Sequence, residues 1–240
     1  MIPKTIHYCW FSGEKKPKTI QKCIDSWSKV MPNYTIKCWD GNSFDFDSVQ
    51  FVRDAMAAKK YAFAADYVRL YALYTEGGIY LDSDVLVKKS FDTFINDDFF
   101  CGTEAFIVDN KVQYRMEAAI MGSSKSHPFV KQCMSFYHNN TFSLDSLSKK
   151  YVMPLVISKI AETYGYKYEN KKQLLEGITI YPTSFFTNTL HQDISNPNEL
   201  YAIHQNNGSW IDYSNRGWLF RLCKKYDMIN LYHKLEKIHK

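Results

Sequence analysis

The 240-residue sequence has no paired cysteines and no long apolar run. Its six cysteines occur singly, without a C-x-x-C pair or zinc-finger spacing, which predicts buried reduced thiols rather than disulfides or a metal site built on cysteine. No apolar stretch approaches the roughly 18 residues that a membrane-spanning helix needs. The first residues also lack the basic start and apolar segment of a secretory signal. We therefore expect a soluble cytoplasmic protein.

The formal net charge of +5 is concentrated at the end of the chain. Residues 211–240 hold seven Lys and Arg against three Asp and Glu, a local balance of +4, and the preceding residues are nearly neutral. Three apolar residues share one helical face in this region: Leu231, Leu235 and Ile238. Such a helix is typical of attachment to an anionic membrane surface, but a terminal helix packed on its own domain explains the pattern equally well. We predict one domain over 1–217 and a basic amphipathic helical tail over 218–240.

The order of the predicted elements favours an α/β fold. Strands at 2–11 and 34–40 flank a helix at 18–32, and short connections between such elements favour a parallel sheet. An alanine-rich helix over 55–76 ends at two glycines, and a strand over 79–87 follows directly. Further strands are predicted at 97–108, 114–123, 178–186 and 201–210, and further helices at 127–139 and 152–165.

Two aspartates, Asp82 and Asp84, interrupt the apolar strand predicted over 79–87. Side chains alternate along a strand, so the two carboxylates are expected on one face, where their repulsion favours a bound cation. Carboxylates suit Mg²⁺ or Mn²⁺, and ligands of open α/β sheets bind beyond the carboxyl ends of strands. A second D-x-D, Asp45-Phe46-Asp47, lies in a polar stretch and is interpreted as a solvated turn.

Asp66 and Arg69 are three residues apart on the predicted helix and therefore share one face. An ordinary surface ion pair has the same spacing. Because the flanking residues are apolar, however, we expect the pair to lie beside the packed face of the helix. A partly buried aspartate held ionised by arginine can bind a sugar hydroxyl.

Four blocks of the sequence, taken in order, resemble the DXD-containing sugar-binding glycosyltransferases. They are residues 2–11, 64–85, 118–129 and 202–210. This family includes fungal initiating mannosyltransferases and many bacterial capsule and lipopolysaccharide enzymes, with the large glucosylating toxins as more distant relatives. The resemblance implies a GT-A-type, Rossmann-like nucleotide-sugar-binding fold with a mostly parallel central sheet flanked by helices.

The resemblance also implies roles for individual residues on the donor side. Trp10 would stack on the nucleotide base, although a tryptophan at this position is also compatible with the core. Asp66 and Arg69 would hold the donor sugar, and Tyr80 would support the ribose or sugar region.

A second group of residues is implied at the metal and the closing loop. Asp82 and Asp84 would bind Mn²⁺ or Mg²⁺, with Asp84 the more direct ligand and Asp82 also reaching ribose or sugar hydroxyls. His204 would complete the metal site or contact the diphosphate, although a structural histidine is the alternative. Ser209 and Trp210 would touch the leaving phosphate. Two other histidines are interpreted as structural: His7 and His127.

The acceptor side is less defined by the sequence. Glu104 and Glu117 could face the acceptor or could be solvated. The family carries Gly-Pro where this chain has Met153-Pro154, which leaves the placement of the acceptor open. The resemblance implies a retaining reaction, in which the acceptor attacks on the face of the leaving diphosphate and the diphosphate takes the proton.

The expected activity is metal-dependent transfer of a hexose or N-acetylhexosamine from a nucleotide sugar, most simply a UDP-sugar, to a saccharide acceptor of bacterial capsule, O-antigen or lipooligosaccharide. Lipid linkage of the acceptor and peripheral association with the cytoplasmic membrane follow if the tail binds membrane. GDP-mannose-dependent mannosyl transfer is an alternative.

A metal-dependent phosphodiesterase or nucleic-acid enzyme would need a second carboxylate cluster, which the sequence does not suggest, and we expect no nucleic-acid partner. A non-catalytic sugar-binding protein would leave the acidic residues without a task.

Overall fold

The computed structural model describes residues 1–143, 152–189 and 195–206. The described helices are α1 (Lys18–Val30), α2 (Gln50–Ala57), α3 (Tyr61–Glu76), α4 (Pro128–His138) and α5 (Met153–Ala161). The described strands are β1 (Thr5–Cys9), β2 (Thr35–Trp39), β3 (Gly78–Leu81), β4 (Val85–Val87), β5 (Phe99–Val108), β6 (Lys111–Ser123), β7 (Gln173–Leu175), β8 (Ile178–Tyr181), β9 (Phe186–Asn188) and β10 (Ala202–His204). The predicted tail over 218–240 and the domain boundary before it lie outside the described residues.

Seven strands form the central sheet, in the order β2-β1-β3-β6-β5-β8-β7. β1 pairs in parallel with β2 and β3, and β5 pairs in parallel with β8. β6 runs antiparallel to β3 and β5, and β7 runs antiparallel to β8. The predicted α/β class with a mostly parallel central sheet is confirmed: β1, β2, β3, β5 and β8 run in one direction, and β6 and β7 run in the opposite direction. The direction of β6 has a local reason: β5 and β6 are joined by the two-residue turn Asp109-Asn110, whose φ angles of 50° and 59° belong to a hairpin, and a hairpin is necessarily antiparallel.

Helices cover the sheet and bury two apolar layers. Three buried residues of α1 recur at helical spacing and pack in one layer with β4: Ile20, Ile24 and Trp27. α3 is buried along most of its length and belongs to the other layer, together with α2, α4 and α5. A helix that is apolar on nearly all sides can be stable only between other elements, which explains its central place.

The helix predicted over 55–76 is two helices in the structure. Between α2 and α3, Lys59 adopts a left-handed φ of 55°. The Lys59 N–H donates to the Met56 carbonyl and the Lys60 N–H to the Ala55 carbonyl, both at 2.9 Å, so the end of α2 is capped by its own backbone. Because no glycine or proline marks this break, the alanine-rich pattern conceals it.

The predicted end of the second helix at Gly77 and Gly78 is confirmed. Their φ angles are 70° and 109°, which side chains rarely allow. Both positions are also crowded, since a Cβ atom at Gly77 would lie 2.8 Å from the Lys125 nitrogen and one at Gly78 would lie 2.6 Å from the Thr5 oxygen. Glycine therefore allows α3 to turn directly into β3 beside β1.

His7 and His127 have the structural contacts expected of them. Trp39 Nε1 donates to His7 Nδ1 at 3.1 Å, and His7 Nε2 is 2.8 Å from the Gly77 carbonyl, so the buried ring bridges β2 and the end of α3. Burial lowers the pKa of His7. His127 caps α4, where its Nδ1 accepts from the Phe129 N–H at 3.3 Å.

The strand predicted over 79–87 is also divided. β3 ends at Leu81, and β4 begins at Val85 in a second sheet of three strands, ordered β4-β10-β9. β10 runs antiparallel to β4 and parallel to β9. The chain therefore passes from one sheet to the other through residues 82–84.

The cysteines described by the structure are free thiols, as predicted; Cys23, Cys101 and Cys133 are buried, whereas Cys9 and Cys38 are only half-buried. Cys223 lies outside the described residues. In the part of the chain that the structure describes, no helix is both long enough and apolar enough to span a bilayer.

Candidate active site

Asp82 and Asp84 occupy a turn between the two sheets rather than a continuous strand. The Asp82 N–H donates to the Ala119 carbonyl of β6 at 2.8 Å, and the Val85 N–H donates back to the Asp82 carbonyl at 2.9 Å. The expectation that the two carboxylates share one face of a strand was therefore wrong in its geometry. The turn nevertheless directs both toward the same place, at the carboxyl end of β3.

His204 joins the two aspartates although it is 120 residues away in the sequence. It ends β10, where it pairs with Val85, and the next residue, Gln205, donates its N–H to the Asp84 carbonyl at 3.1 Å. His204 Nε2 lies 3.4 Å from Asp84 Oδ1 and 4.0 Å from Asp82 Oδ2. The second sheet thus places the imidazole against the acidic turn.

The Asp82, Asp84 and His204 side chains form a donor set suited to a divalent cation. One ligand atom from each lies within 4.8 Å of the others. Two carboxylate oxygens and an imidazole nitrogen suit Mn²⁺, and Mg²⁺ through the carboxylates, with phosphate oxygens and water as further ligands. The site also attracts positive charge: burial alone would lower the pKa of His204, but Asp84 and Glu117 raise it well above its usual value. The carboxylates therefore favour a cation at this position.

Asp66 and Arg69 of α3 lie beside the acidic turn and are buried, 9% and 5% exposed, so the surface-pair alternative is excluded. Arg69 Nη2 lies 2.8 Å from Asp66 Oδ1 and 3.3 Å from Asp82 Oδ1. Its Nη1 donates to the Ala118 carbonyl at 2.6 Å. Arg69 therefore connects the helix, the acidic turn and β6.

Tyr80 completes this network from β3. Its hydroxyl donates to Asp82 Oδ1 at 3.0 Å, and its ring faces the Arg69 guanidinium, 4.6 Å from the ring centroid. The tyrosine is 1% exposed. Through these two contacts Tyr80 orients Asp82 and Arg69. Its contact with the nucleotide stays a prediction.

Burial and charge act in opposite directions on the carboxylates of this network. Burial raises the pKa of Asp66 to about 7, although Arg69 opposes the rise. Burial also raises the pKa of Asp82, while Arg69 and His204 lower it. The nearby carboxylates keep the Arg69 guanidinium charged by raising its pKa despite burial. Burial therefore favours the neutral form of Asp66 and Asp82, whereas the neighbouring Arg69, and His204 for Asp82, favour the charged form.

An irregular bulge in β6 places Glu117 against Nδ1 of His204, whereas the aspartates lie at Nε2. Cys101 pairs with Met121 and Thr103 with Met116, so residues 117–120 of β6 face only Gly102 of β5. Glu117 is 2% exposed, and its Oε1 lies 3.4 Å from His204 Nδ1. The Ala119 N–H donates to the same oxygen at 2.9 Å.

Glu104 and Glu117, the two residues considered for the acceptor side, are both withdrawn from bulk solvent. Glu104 pairs with Arg115 across the β5-β6 hairpin, and burial raises its pKa to about 7. Glu117 faces His204. The sequence indicated neither arrangement, because the bulge that turns Glu117 toward the site has no local signal.

Trp10 follows β1 directly and is half-buried. Its Nε1 donates to the Glu14 carbonyl at 2.8 Å, and Lys16 Nζ lies 5.4 Å from its ring centroid. The structure places it among the partly buried residues of the α1 layer, at the carboxyl end of a strand next to β3. Ser209 and Trp210 lie outside the described residues.

Two other features seen in the structure are separate from this site. The second D-x-D is an exposed 3-10 turn in which Asp45 accepts from the Asp47 N–H at 3.0 Å, as interpreted from the sequence. A cavity of about 480 Å³ lies between Lys125, His127 and Gly177, at the amino ends of β5 and β8. Because ligands of open α/β sheets bind at the carboxyl ends, we place the chemistry at the acidic turn rather than in this cavity.

Comparison with known proteins agrees with this architecture. The family model described as capsular polysaccharide synthesis protein matches residues 1–179. The uncharacterized glycosyltransferase L373 of Acanthamoeba polyphaga mimivirus is 24% identical over 236 residues, 93% of this chain and 87% of that protein. Inositol phosphoceramide mannosyltransferase 3 of Schizosaccharomyces pombe is 30% identical over 139 residues, 55% of this chain but only 36% of that protein.

Among solved structures, the PaToxG glycosyltransferase is similar to this chain with a TM-score of 0.51. The two share 20% sequence identity over 68% of this chain and 69% of the other. At this identity the likeness concerns the fold alone, and it confirms the expected GT-A-type fold.

Proposed function

Because the chain belongs to the capsular polysaccharide synthesis protein family, we propose that it is a glycosyltransferase that uses a nucleotide sugar and a divalent cation. The observation that carries the proposal is the convergence of Asp82, Asp84 and His204 beside the buried pair Asp66 and Arg69. In its specific form, the proposal is transfer of a hexose or N-acetylhexosamine from a UDP-sugar to a saccharide acceptor of a bacterial surface polysaccharide.

Asp82, Asp84 and His204 would hold Mn²⁺ or Mg²⁺. When bound, the cation would neutralise charge on the departing diphosphate. Asp66 and Arg69 would orient the donor sugar, because their ion pair fixes both side chains and the Asp66 carboxyl group can hydrogen-bond to sugar hydroxyls. Trp10 and Tyr80 would contact the nucleotide, and Ser209 and Trp210 would belong to the loop that closes over the donor site.

The proposed reaction retains the configuration of the anomeric carbon. The acceptor hydroxyl would attack on the face from which the diphosphate leaves, and a diphosphate oxygen would take its proton. Glu117 supports this version, because it is buried and already engaged by His204 and the Ala119 N–H, and so is not free to act as a nucleophile. A cytoplasmic location and attachment of 218–240 to an anionic membrane, next to a lipid-linked acceptor, belong to the same proposal and rest on sequence composition.

Donor hydrolysis tests the proposal directly. The protein with Mn²⁺ would be given a panel of UDP-sugars and GDP-mannose, and release of the nucleoside diphosphate would be measured. We expect slow hydrolysis of at least one UDP-sugar, abolished by Asp84→Ala. Asp47→Ala changes the exposed second D-x-D and should leave the rate unchanged. An Asp84→Ala variant with undiminished turnover would refute the metal role.

The same panel separates the alternatives. Preference for GDP-mannose would favour mannosyl transfer, the second candidate, which the name of the Schizosaccharomyces pombe relative suggests. Cleavage of a phosphodiester such as bis(p-nitrophenyl) phosphate, with sugar nucleotides left intact, would favour a phosphodiesterase. Among the described residues, one group of three side chains could bind a metal: Asp82, Asp84 and His204. Two-metal hydrolases need a second group of metal ligands. Stabilisation by nucleotide without any hydrolysis or transfer would indicate a binding protein.

A further inference from the structure

The buried carboxylate of Glu117 lies against the side of His204 that faces away from the aspartates. His204 Nε2 points toward Asp84 and Asp82, at 3.4 and 4.0 Å, and Nδ1 lies 3.4 Å from Glu117 Oε1. Nδ1 is fully buried, and no partner of ideal hydrogen-bond geometry is found for it among the described residues. Glu117 is thus the acceptor placed next to a nitrogen that needs one.

Glu117 is held in this position by the backbone. The bulge at 117–120 opposes Gly102, where a Cβ atom would lie 3.0 Å from the Phe186 ring and 3.5 Å from the Glu117 Cβ. The Ala119 N–H fixes Oε1 at 2.9 Å. A carboxylate that is 2% exposed is costly unless it is paired, and His204 supplies the pairing.

We propose that Glu117 is a positioning residue for the metal site: it accepts a hydrogen bond from His204 Nδ1–H and so presents Nε2 to the cation. The inference rests on the proposed function, because it assumes that Asp82, Asp84 and His204 bind a metal. A histidine ligand commonly donates its second N–H to a carboxylate, which fixes the orientation of the ring and makes the other nitrogen a better ligand. The distance of 3.4 Å should shorten in the loaded site, as hydrogen bonds in active sites often do.

Metal affinity is the first readout. Binding of Mn²⁺ in the presence of UDP would be measured by electron paramagnetic resonance of the free ion, without turnover. We expect Glu117→Ala to weaken Mn²⁺ affinity by about 10- to 100-fold, as loss of such a supporting group typically does. Glu117→Gln keeps an acceptor oxygen for Nδ1–H and should recover most of this loss. Circular dichroism and thermal unfolding would establish that each variant is folded.

Glu104→Gln is the matched control. Glu104 lies in the same buried region, on β5, near enough to interact with His204 through its charge, but its ion pair is with Arg115. Its substitution removes one carboxylate charge and leaves Glu117 in place. Affinity for Mn²⁺ should therefore change far less than in Glu117→Ala. An equal loss in both variants would mean that only the total charge matters, and would overturn the positioning role.

The second readout is spectroscopic and independent of affinity. In histidine-labelled protein with Mg²⁺ and UDP, proton-nitrogen spectra should show a slowly exchanging Nδ1–H of His204, assigned by its loss in His204→Gln. This signal should vanish in Glu117→Ala and persist in Glu117→Gln and Glu104→Gln. If Glu117→Ala does not fold, the inference is judged on Glu117→Gln, which must keep both the signal and an affinity close to that of the parent.

The outcomes distinguish failure of this inference from failure of the proposed function. If the parent protein does not bind Mn²⁺ with UDP, the proposed metal-dependent function fails and the positioning role fails with it. If the parent binds Mn²⁺ and Glu117→Ala binds it equally well, with the Nδ1–H signal unchanged, the proposed function stands and the positioning role is refuted.

Discussion

Arg69 is the residue at which the buried polar contacts of the site meet. It contacts the carboxylates of Asp66 and Asp82, the Ala118 carbonyl and the face of Tyr80. A planar guanidinium can make these contacts at once in fixed directions, which a lysine ammonium cannot. Its charge also compensates two carboxylates that burial would otherwise leave unpaired. We therefore expect Arg69 to stabilise the fold as well as serve the site.

Replacement of Arg69 by methionine tests this dual role. Arg69→Met should lower the free energy of unfolding by about 3–5 kcal/mol, the usual result of removing one partner from a buried ion pair. Urea unfolding followed by circular dichroism would measure the change. Adding Asp66→Asn to the variant should recover part of the loss, because one uncompensated carboxylate is removed.

The control for this prediction is the same substitution on an exposed helix surface. Arg53 of α2 is exposed, and Arg53→Met should change the free energy of unfolding by no more than about 0.5 kcal/mol. A loss in Arg69→Met as small as in Arg53→Met would show that Asp66 and Asp82 do not depend on the arginine for their burial.

A site residue could be predicted where its neighbours in the sequence indicated its position. Asp66 and Arg69 are three residues apart on a helix with apolar flanks, and this spacing predicted a pair beside the packed face. The place of His204 came only from the resemblance, because its approach to Asp84 depends on a pairing of β10 with β4 across more than 100 residues. Nothing in the sequence indicated that Glu117 lies next to His204.

At the scale of elements, the junction from α3 to β3 determines where the acidic turn lies. The helix ends, and the next two residues turn the chain directly into the centre of the sheet beside β1. Gly78 approaches β1 so closely that a Cβ atom would lie 2.6 Å from the Thr5 oxygen and 2.9 Å from His7 Nε2. Since the acidic turn follows four residues later, any displacement of this junction should be transmitted to it.

Two glycine substitutions separate crowding from backbone strain. Gly13 has a φ of 68° and open space around it, so Gly13→Ala should cost about 1–2 kcal/mol, the strain of a left-handed alanine. Gly78→Ala adds a clash with backbone to a comparable strain and should exceed the cost of Gly13→Ala by at least about 2 kcal/mol. Denaturant unfolding of both variants would measure the difference. Equal costs would mean that β1 and β3 can separate freely.

The elements themselves were largely predictable, and the exceptions have a common cause. Hydrophobic periodicity and turn residues located α1, α4, β1, β2 and most later strands. The break between α2 and α3, the division of the strand over 79–87 and the bulge in β6 were missed. None of them follows from residue type: the break between the helices is made by local backbone hydrogen bonds of Lys59 and Lys60, and the division of the strand by a backbone contact with a distant strand, that of the Asp82 N–H with the Ala119 carbonyl.

At the scale of the whole molecule, the proposed metal site lies where the two sheets meet. Asp82 follows β3 of the seven-stranded sheet, whereas His204 ends β10 of the three-stranded sheet. Asp84 lies in the connection between them. A cation bound to all three would therefore link the two sheets. Because only the folded chain brings the three side chains together, the cation would bind the folded state and not the unfolded chain.

This linkage predicts that Mn²⁺ stabilises the entire molecule. With UDP present, Mn²⁺ at 100 times its dissociation constant should raise the free energy of unfolding by about 2.7 kcal/mol, and EDTA should reverse the effect. The measurement is the thermal unfolding temperature across a Mn²⁺ titration. His204→Ala removes the ligand from the second sheet and should shift the titration to higher Mn²⁺ concentrations, whereas Asp47→Ala should titrate like the parent. Stabilisation that is the same in His204→Ala would place the cation away from the contact between the sheets.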